Sequence, residues 1–258
     1  GLSPSINRRP FVVDSAIKNT ARVARWSNRA INISFLRQFS GDIKLRSKSF
    51  RLQKYQVEDV DLVAIITNGV LDLKRLTASA YDGTIELDGQ VVASKTANQL
   101  KTRFKVINVN TGKLLRSIGT DGFRKGALDI VCEFRTFGRS PREIVNALSG
   151  NGTVSVRGLD VVSKVNKGSA MSGVGNLFLS LQQFSSIVLG KNLSSNRTNF
   201  NTSFTTTKGA ISFKDMTLKT GLGNGSAKGL IDLPNWQVNT EGEIKLSQNI
   251  LTQILFQN

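Results

Sequence analysis

The stretch SPREIVNALSGNGTVSVRGLD, Ser140 to Asp160, sets the reading of the whole chain. Ser140 is an N-cap residue, Pro141 suits the first helical position, and Glu143 stands where a capping box places its acid. Ile144, Val145 and Leu148 share one helical face, and Gly150 and Gly152 are expected to end the helix. Beyond them Val154 and Val156 point one way while Thr153, Ser155 and Arg157 point the other, the period of a strand.

Upstream the strand grammar repeats. Ile43 and Leu45 alternate with Lys44, Arg46 and Lys48, which lines three cations along one strand face. Val57 to Ile66 is a second run, and Asn68-Gly69 and Tyr81-Asp82-Gly83 are turn signals around Val70, Leu71, Leu73 and Leu76. Ile85, Leu87, Gly89 and Val91 keep the same period. Phe104 to Asn108 and Leu128 to Phe137 read as strands separated by a loose loop from Asn110 to Gly126. Downstream, Asn201 to Thr207, Ala210 to Leu218, Gly225 to Leu233 and Val238 to Leu246 are strands. Between them Val174, Leu177, Phe178, Leu181, Phe184, Ile187 and Val188 recur at helical spacing, which predicts a second helix over Met171 to Leu189. The fold class is mainly β, one mostly antiparallel sheet of hairpin strands with two short helices packed on it. Residues 1–25 form a basic leading arm or helix, and 26–258 a single domain.

Composition narrows the chemistry. The 258 residues carry a net charge of +17, include one cysteine and contain no histidine. That removes Ser-His-Asp and Cys-His catalysis, histidine zinc sites and all-cysteine zinc sites together. Cys132 falls in the apolar alternation Leu128, Ile130, Cys132, Phe134 and is expected in the core. The positive excess predicts an acidic partner, either anionic lipid or nucleic acid. It is concentrated before Tyr55, with roughly twelve Lys or Arg against two Asp. No aromatic-interleaved RNA motif or helix-turn-helix accompanies it, so nucleic acid is not the expected partner. The chain opens at Gly1 without a methionine, as expected of a fragment or a processed product.

The remaining motifs carry little chemistry. GLGNGSAKG, Gly221 to Gly229, has no following helix for a dinucleotide fold and no Gly-Lys-Ser/Thr for a P-loop, so a hairpin loop is expected. The pairs Asp59 with Asp61 and Glu241 with Glu243 read as solvent faces of strands rather than acid–base couples. No catalytic residue, metal site or cofactor is expected. Ser169 to Gly190 contains no charged residue but is too polar for a spanning helix. Its helix is expected on the sheet, over an apolar groove, or at a membrane interface.

Taken in order, these elements resemble the C-terminal region of the AsmA family of bacterial envelope proteins. The resemblance runs from RWSNRAINISFLRQFSGDIKLRSKSF through GVLDLKRLTASAYDGTIELDGQV and SPREIVNALSGNGTVSVRGLDV to NTSFTTTKGAISFKDMTLKTGLGNGSAKGLIDLPNWQVN. Where the family carries a second glycine pair, this chain has Asp82-Gly83. The resemblance implies a curved, open half-pipe with an apolar concave face. It also implies a periplasmic module of a protein anchored in the inner membrane, conducting phospholipid toward the outer membrane without catalysis. Val154, Val156, Ile211 and Phe213 are then candidates for the lipid face, and they could equally pack under the Met171 helix. Lys44, Arg46 and Lys48 are candidates for head-group or anionic-surface contact. Phospholipid or another anionic envelope lipid is the expected partner. The rival reading is a scaffolding domain that contacts partner envelope proteins, with the open sheet edge as docking site.

Overall fold

A computed structural model describes residues 8–15, 26–52, 55–117, 124–160, 197–220 and 223–246. They form the strands β1 (Arg8–Ser15), β2 (Gly41–Leu52), β3 (Tyr55–Thr67), β4 (Val70–Ala80), β5 (Gly83–Val92), β6 (Asn98–Asn110), β7 (Ala127–Gly138), β8 (Ser149–Asp160), β9 (Arg197–Thr207), β10 (Ala210–Thr220), β11 (Gly223–Asp232) and β12 (Gln237–Leu246). Two helices, α1 (Thr111–Ser117) and α2 (Pro141–Ala147), and a 3-10 turn over Ser34–Arg37 accompany them. All strands join one antiparallel sheet in the order β1-β12-β11-β10-β9-β8-β7-β6-β5-β4-β3-β2. The sheet is open: β1 and β2 are consecutive in sequence yet lie at opposite edges.

The central segment folds largely as its residues dictate. Ser140 Oγ accepts the Glu143 amide at 3.3 Å, and Pro141 opens α2. The Glu143 carboxylate reaches back to the Arg139 amide at 2.9 Å, one residue before the position a capping box predicts. Gly150 and Gly152 do not end the helix; they lie inside β8. The reason is close packing. A Cβ on Gly150 would sit 2.0 Å from the Glu133 carbonyl oxygen and 2.8 Å from the Phe134 ring, and one on Gly152 would sit 2.6 Å from Phe204. The bare backbone of β8 lets Phe134 and Phe204 lean over it, with ring centroids 6.1 Å apart.

Register shifts recur in β3, β4, β6, β8 and β10. Such bulges bend a strand and increase its twist, which curves the sheet. Two of them are stapled alike. The Asn108 amide donates to Asp129 Oδ1 and the Gly158 amide to Asn199 Oδ1, both at 2.8 Å. Asn108 and Gly158 each have positive φ there.

Three further expectations are corrected. Arg8–Ser15, read as part of a leading arm or helix, is a strand paired with β12, in keeping with its Phe11-Val12-Val13 run. The loop expected over Asn110 to Gly126 opens with α1, whose Leu115 is buried and whose first turn is capped by Asn110 Oδ1, the acceptor for Lys113 N at 3.1 Å. Most of the hairpin loop expected over Gly221 to Gly229 is β11. The helix expected over Met171 to Leu189 lies outside the described residues.

Candidate functional site

Antiparallel pairing sets side chains facing each other across strands on the same side of the sheet. One such row runs Leu45, Leu62, Leu76, Leu87, Phe104, Cys132, Gly152, Phe204, Phe213, Gly229, from β2 to β11. A second row, on the same face, runs Ile43, Ala64, Leu73, Gly89, Thr102, Phe134, Gly150, Thr206, Ile211, Ile231. Neither row contains a charged residue. The opposite face is of another kind. There Arg46, Asp61, Thr77, Glu86 and Lys105 stand in register, and ion pairs link Arg75 to Asp61 at 3.0 Å, Arg103 to Glu133 at 2.8 Å and Lys105 to Glu86 at 3.2 Å.

The uncharged face is covered unevenly. Leu115 of α1 joins Val106, Val109, Leu128, Val156 and Leu159 in a buried cluster. At the other strand ends α2 packs on β7, with Val145 buried and Thr136 Oγ donating to the Ile144 carbonyl at 2.5 Å. Between and beside these caps Leu73, Leu87, Val91, Leu100 and Phe213 are half-buried, and Leu45 at the β2 edge is 47% exposed. An aromatic run, Phe134 to Phe204 to Phe213, floors the part over β7 to β10, with the last two centroids 5.7 Å apart.

The residues singled out from the sequence fall as follows. Val154, Val156, Ile211 and Phe213 all lie on the uncharged face. Val156 is 1% exposed and sits wholly within the α1 cluster, so its contacts are with the protein itself. Val154 is half-buried at the margin of that cluster, and Ile211 and Phe213 are half-buried away from it. Lys44 and Arg46 are exposed on the charged face of β2. Lys48 is exposed where the β2–β3 ladder is interrupted opposite Asp59, whose φ is 49°. The structure therefore does not gather the three cations on the side that carries the apolar rows. Sequence reading missed Leu73, Leu87, Val91 and Leu100 as members of the open face, although the alternation of their strands carried the signal.

Cys132 is buried, its thiol facing the Phe104 carbonyl at 3.7 Å, and burial raises its pKa. The thiol form suits a core position rather than nucleophilic chemistry. A shallow cavity of about 430 Å³ lies between β7 and β10, lined mainly from the charged face by Glu133, Asn151, Thr153, Ser203, Thr205 and Lys214. Cys132, Gly152 and Phe204 of the first apolar row also line it. Among the described residues no three of Asp, Glu and Cys gather to hold a metal ion, and no helix is long and apolar enough to cross a membrane.

No curated protein and no solved structure matches the chain. The model of the AsmA family matches residues 4–229, from before β1 into β11. That family is one of the bacterial envelope, and the match is consistent with a role in envelope and outer-membrane assembly. Extending over most of the sequence and across a sheet of the implied kind, it shows that the chain belongs to the AsmA family.

Proposed function

We propose that this domain holds phospholipid acyl chains on its uncharged face, as a non-catalytic periplasmic module of an inner-membrane-anchored protein that conducts phospholipid toward the outer membrane. The observation that carries the reading is the pair of charge-free rows running in register from β2 to β11. A soluble sheet with one face left open normally places polar groups there. Leaving that face apolar favours a non-aqueous occupant.

The energetics suit passage. Burial of an acyl methylene is worth about 0.8 kcal/mol, so a chain of about fifteen methylenes half-covered by the sheet gains roughly 6 kcal/mol. That corresponds to a dissociation constant of roughly 40 µM. Such a grip holds a lipid out of water without trapping it. Ile211, Phe213 and Leu87 are the contacts on this reading, with Val154 at the margin. Lys44 and Arg46 are placed to meet phosphate only at the β2 edge, where the two faces meet.

The test is lipid extraction and mass spectrometry on protein purified without detergent, with a photoreactive residue at Leu87 or at its neighbour Glu86. Phospholipid cross-linked at Leu87 and not at Glu86 supports the reading. Protein free of lipid, or equal cross-linking at both positions, overturns it.

A further inference from the structure

Among the exposed large apolar side chains, Ile31, Phe35, Phe39, Ile43, Leu45 and Phe50 crowd into one short stretch of sequence. It comprises β2 and the segment leading into it. Among the described residues β2 pairs with β3 alone, so the backbone N–H and C=O groups of its outer side are unpaired. The cations of β2 are also underused. Arg46 is 85% exposed, and its carboxylate neighbour Asp61 lies 3.9 Å away, already held by Arg75 at 3.0 Å. Lys44 stands across from Val63.

We propose that the free edge of β2 is a docking strand for a separate protein segment. The segment adds to the sheet in extended form, with apolar side chains at alternate positions continuing the Ile43 and Leu45 rows and carboxylates between them facing Lys44 and Arg46. Main-chain hydrogen bonds supply affinity and the alternating side chains supply choice. The inference does not rest on acyl chains binding at Leu87 and Phe213, and it gives Lys44 and Arg46 carboxylates as partners in place of phosphate.

Charge selects this occupant over two others. A second copy pairing through its own β2 brings Lys44 and Arg46 onto the same face as themselves, and like charges across a ladder are destabilising. The second copy's β1 fits poorly, because it carries Pro10, which lacks an N–H, and a single carboxylate, Asp14. An anionic membrane surface satisfies the cations and the phenylalanines but leaves a row of strand N–H and C=O groups without partners in lipid. An acidic strand satisfies all three features.

The test uses a fluorescent twelve-residue peptide of alternating Glu and Val, its Lys/Val counterpart, and a Glu/Val version N-methylated at alternate amides, each titrated against the whole chain at low salt. The Glu/Val peptide is expected to bind at least tenfold more tightly than the Lys/Val one and to lose binding on N-methylation. It is also expected to slow hydrogen exchange in β2. In the double variant Lys44→Glu, Arg46→Glu the preference reverses, and in Lys44→Gln, Arg46→Gln, which leaves Asp61 paired with Arg75 alone, it disappears. Equal binding of the two peptides, indifference to N-methylation, or an unchanged preference in the Gln variant overturns the proposal. So does protection of β2 by phosphatidylglycerol–phosphatidylethanolamine vesicles where the peptide gives none.

Discussion

Replacing Gly150 by alanine tests the close packing that shapes the middle of the uncharged face. The added Cβ would lie 2.0 Å from the Glu133 carbonyl oxygen, 2.8 Å from the Phe134 ring and 3.0 Å from the Glu133 carbonyl carbon. A side chain can rotate away, but a carbonyl within a paired strand cannot. β7 and β8 must therefore separate by more than about 1 Å to restore ordinary contact. Overpacking of this kind costs about 1–3 kcal/mol, and a backbone obstacle places Gly150→Ala in the upper half of that range. At about 2–4 °C per kcal/mol for a domain of this size, the melting temperature falls by roughly 4–12 °C. Gly41→Ala is the control, since a Cβ there meets nothing within 4 Å and the residue has no left-handed φ. It is expected to stay within about 0.5 kcal/mol of the parent. Thermal unfolding followed by circular dichroism in the strand band measures both. If Gly150→Ala melts together with Gly41→Ala, the approach of Phe134 and Glu133 to β8 does not exist in solution and the account of the face is wrong.

Three further outcomes follow from the same geometry. Phe213→Glu places a carboxylate among the apolar rows while Ser212→Glu places one on the opposite face; desolvation of several kcal/mol under an acyl chain lowers phospholipid retention at least a hundredfold in the first only, measured by lipid mass spectrometry. The Arg103 guanidinium beside Glu133 holds that carboxyl below its ordinary range. A lowered folded-state value means that its stabilisation is present above the unfolded value, near 4.3, and is lost as pH falls through the folded one. Glu133→Gln is accordingly expected to flatten the acid limb of a denaturation series below the unfolded-state value, and an unchanged limb contradicts the pairing. Trp26→Ala removes a ring stacked on Trp236 at 5.1 Å and an indole hydrogen bond to the Leu233 carbonyl at 2.8 Å; hydrogen exchange is expected to accelerate at Arg142, whose amide donates to Ser27, before it does at β7.

Strand existence was legible wherever apolar and polar residues alternated, as in Ile85 to Val91 and Thr153 to Arg157. The same period is what makes one face charge-free, so the apolar rows were implicit in the sequence. What periodicity could not supply was register. Leu45, Leu62, Leu76 and Leu87 are ordinary alternating residues until pairing aligns them. The glycines misled for a related reason: Gly150 and Gly152 look like helix terminators by local rules, but they answer to Phe134 and Phe204 on neighbouring strands. α1 escaped notice because TGKLLRS has a glycine at its second position and only two apolar residues. Burial of Leu115 against β6 and β8, not propensity, holds it. β1 was hidden by its cations and by a partner at the far end of the chain.

The link between the two edges explains why the sheet curves rather than lying flat. From Trp26 the chain passes along the ends of the strands. Trp26 meets the β11–β12 loop, Ser27 and Ile31 bond Arg142 and Arg139 around α2, Asn98 Nδ2 donates to Ile31, and Gly69 between β3 and β4 donates to Leu36. A flat sheet would place the β11–β12 loop about 46 Å from β2, at about 4.8 Å per strand. The residues between Trp26 and Gly41, fully extended, reach about 50 Å, and the 3-10 turn over Ser34–Arg37 takes roughly 5 Å from that. The segment is therefore close to taut even on a direct line, and its bonds to α2 and to the β3–β4 turn draw it off that line. The sheet has to bend to meet it. Bulges in β4, β6, β8 and β10 make the bend possible, and the strap makes it necessary. An open face that is bent, uncharged and tied at one end of its strands is a trough, and a trough of this kind is what an acyl chain needs.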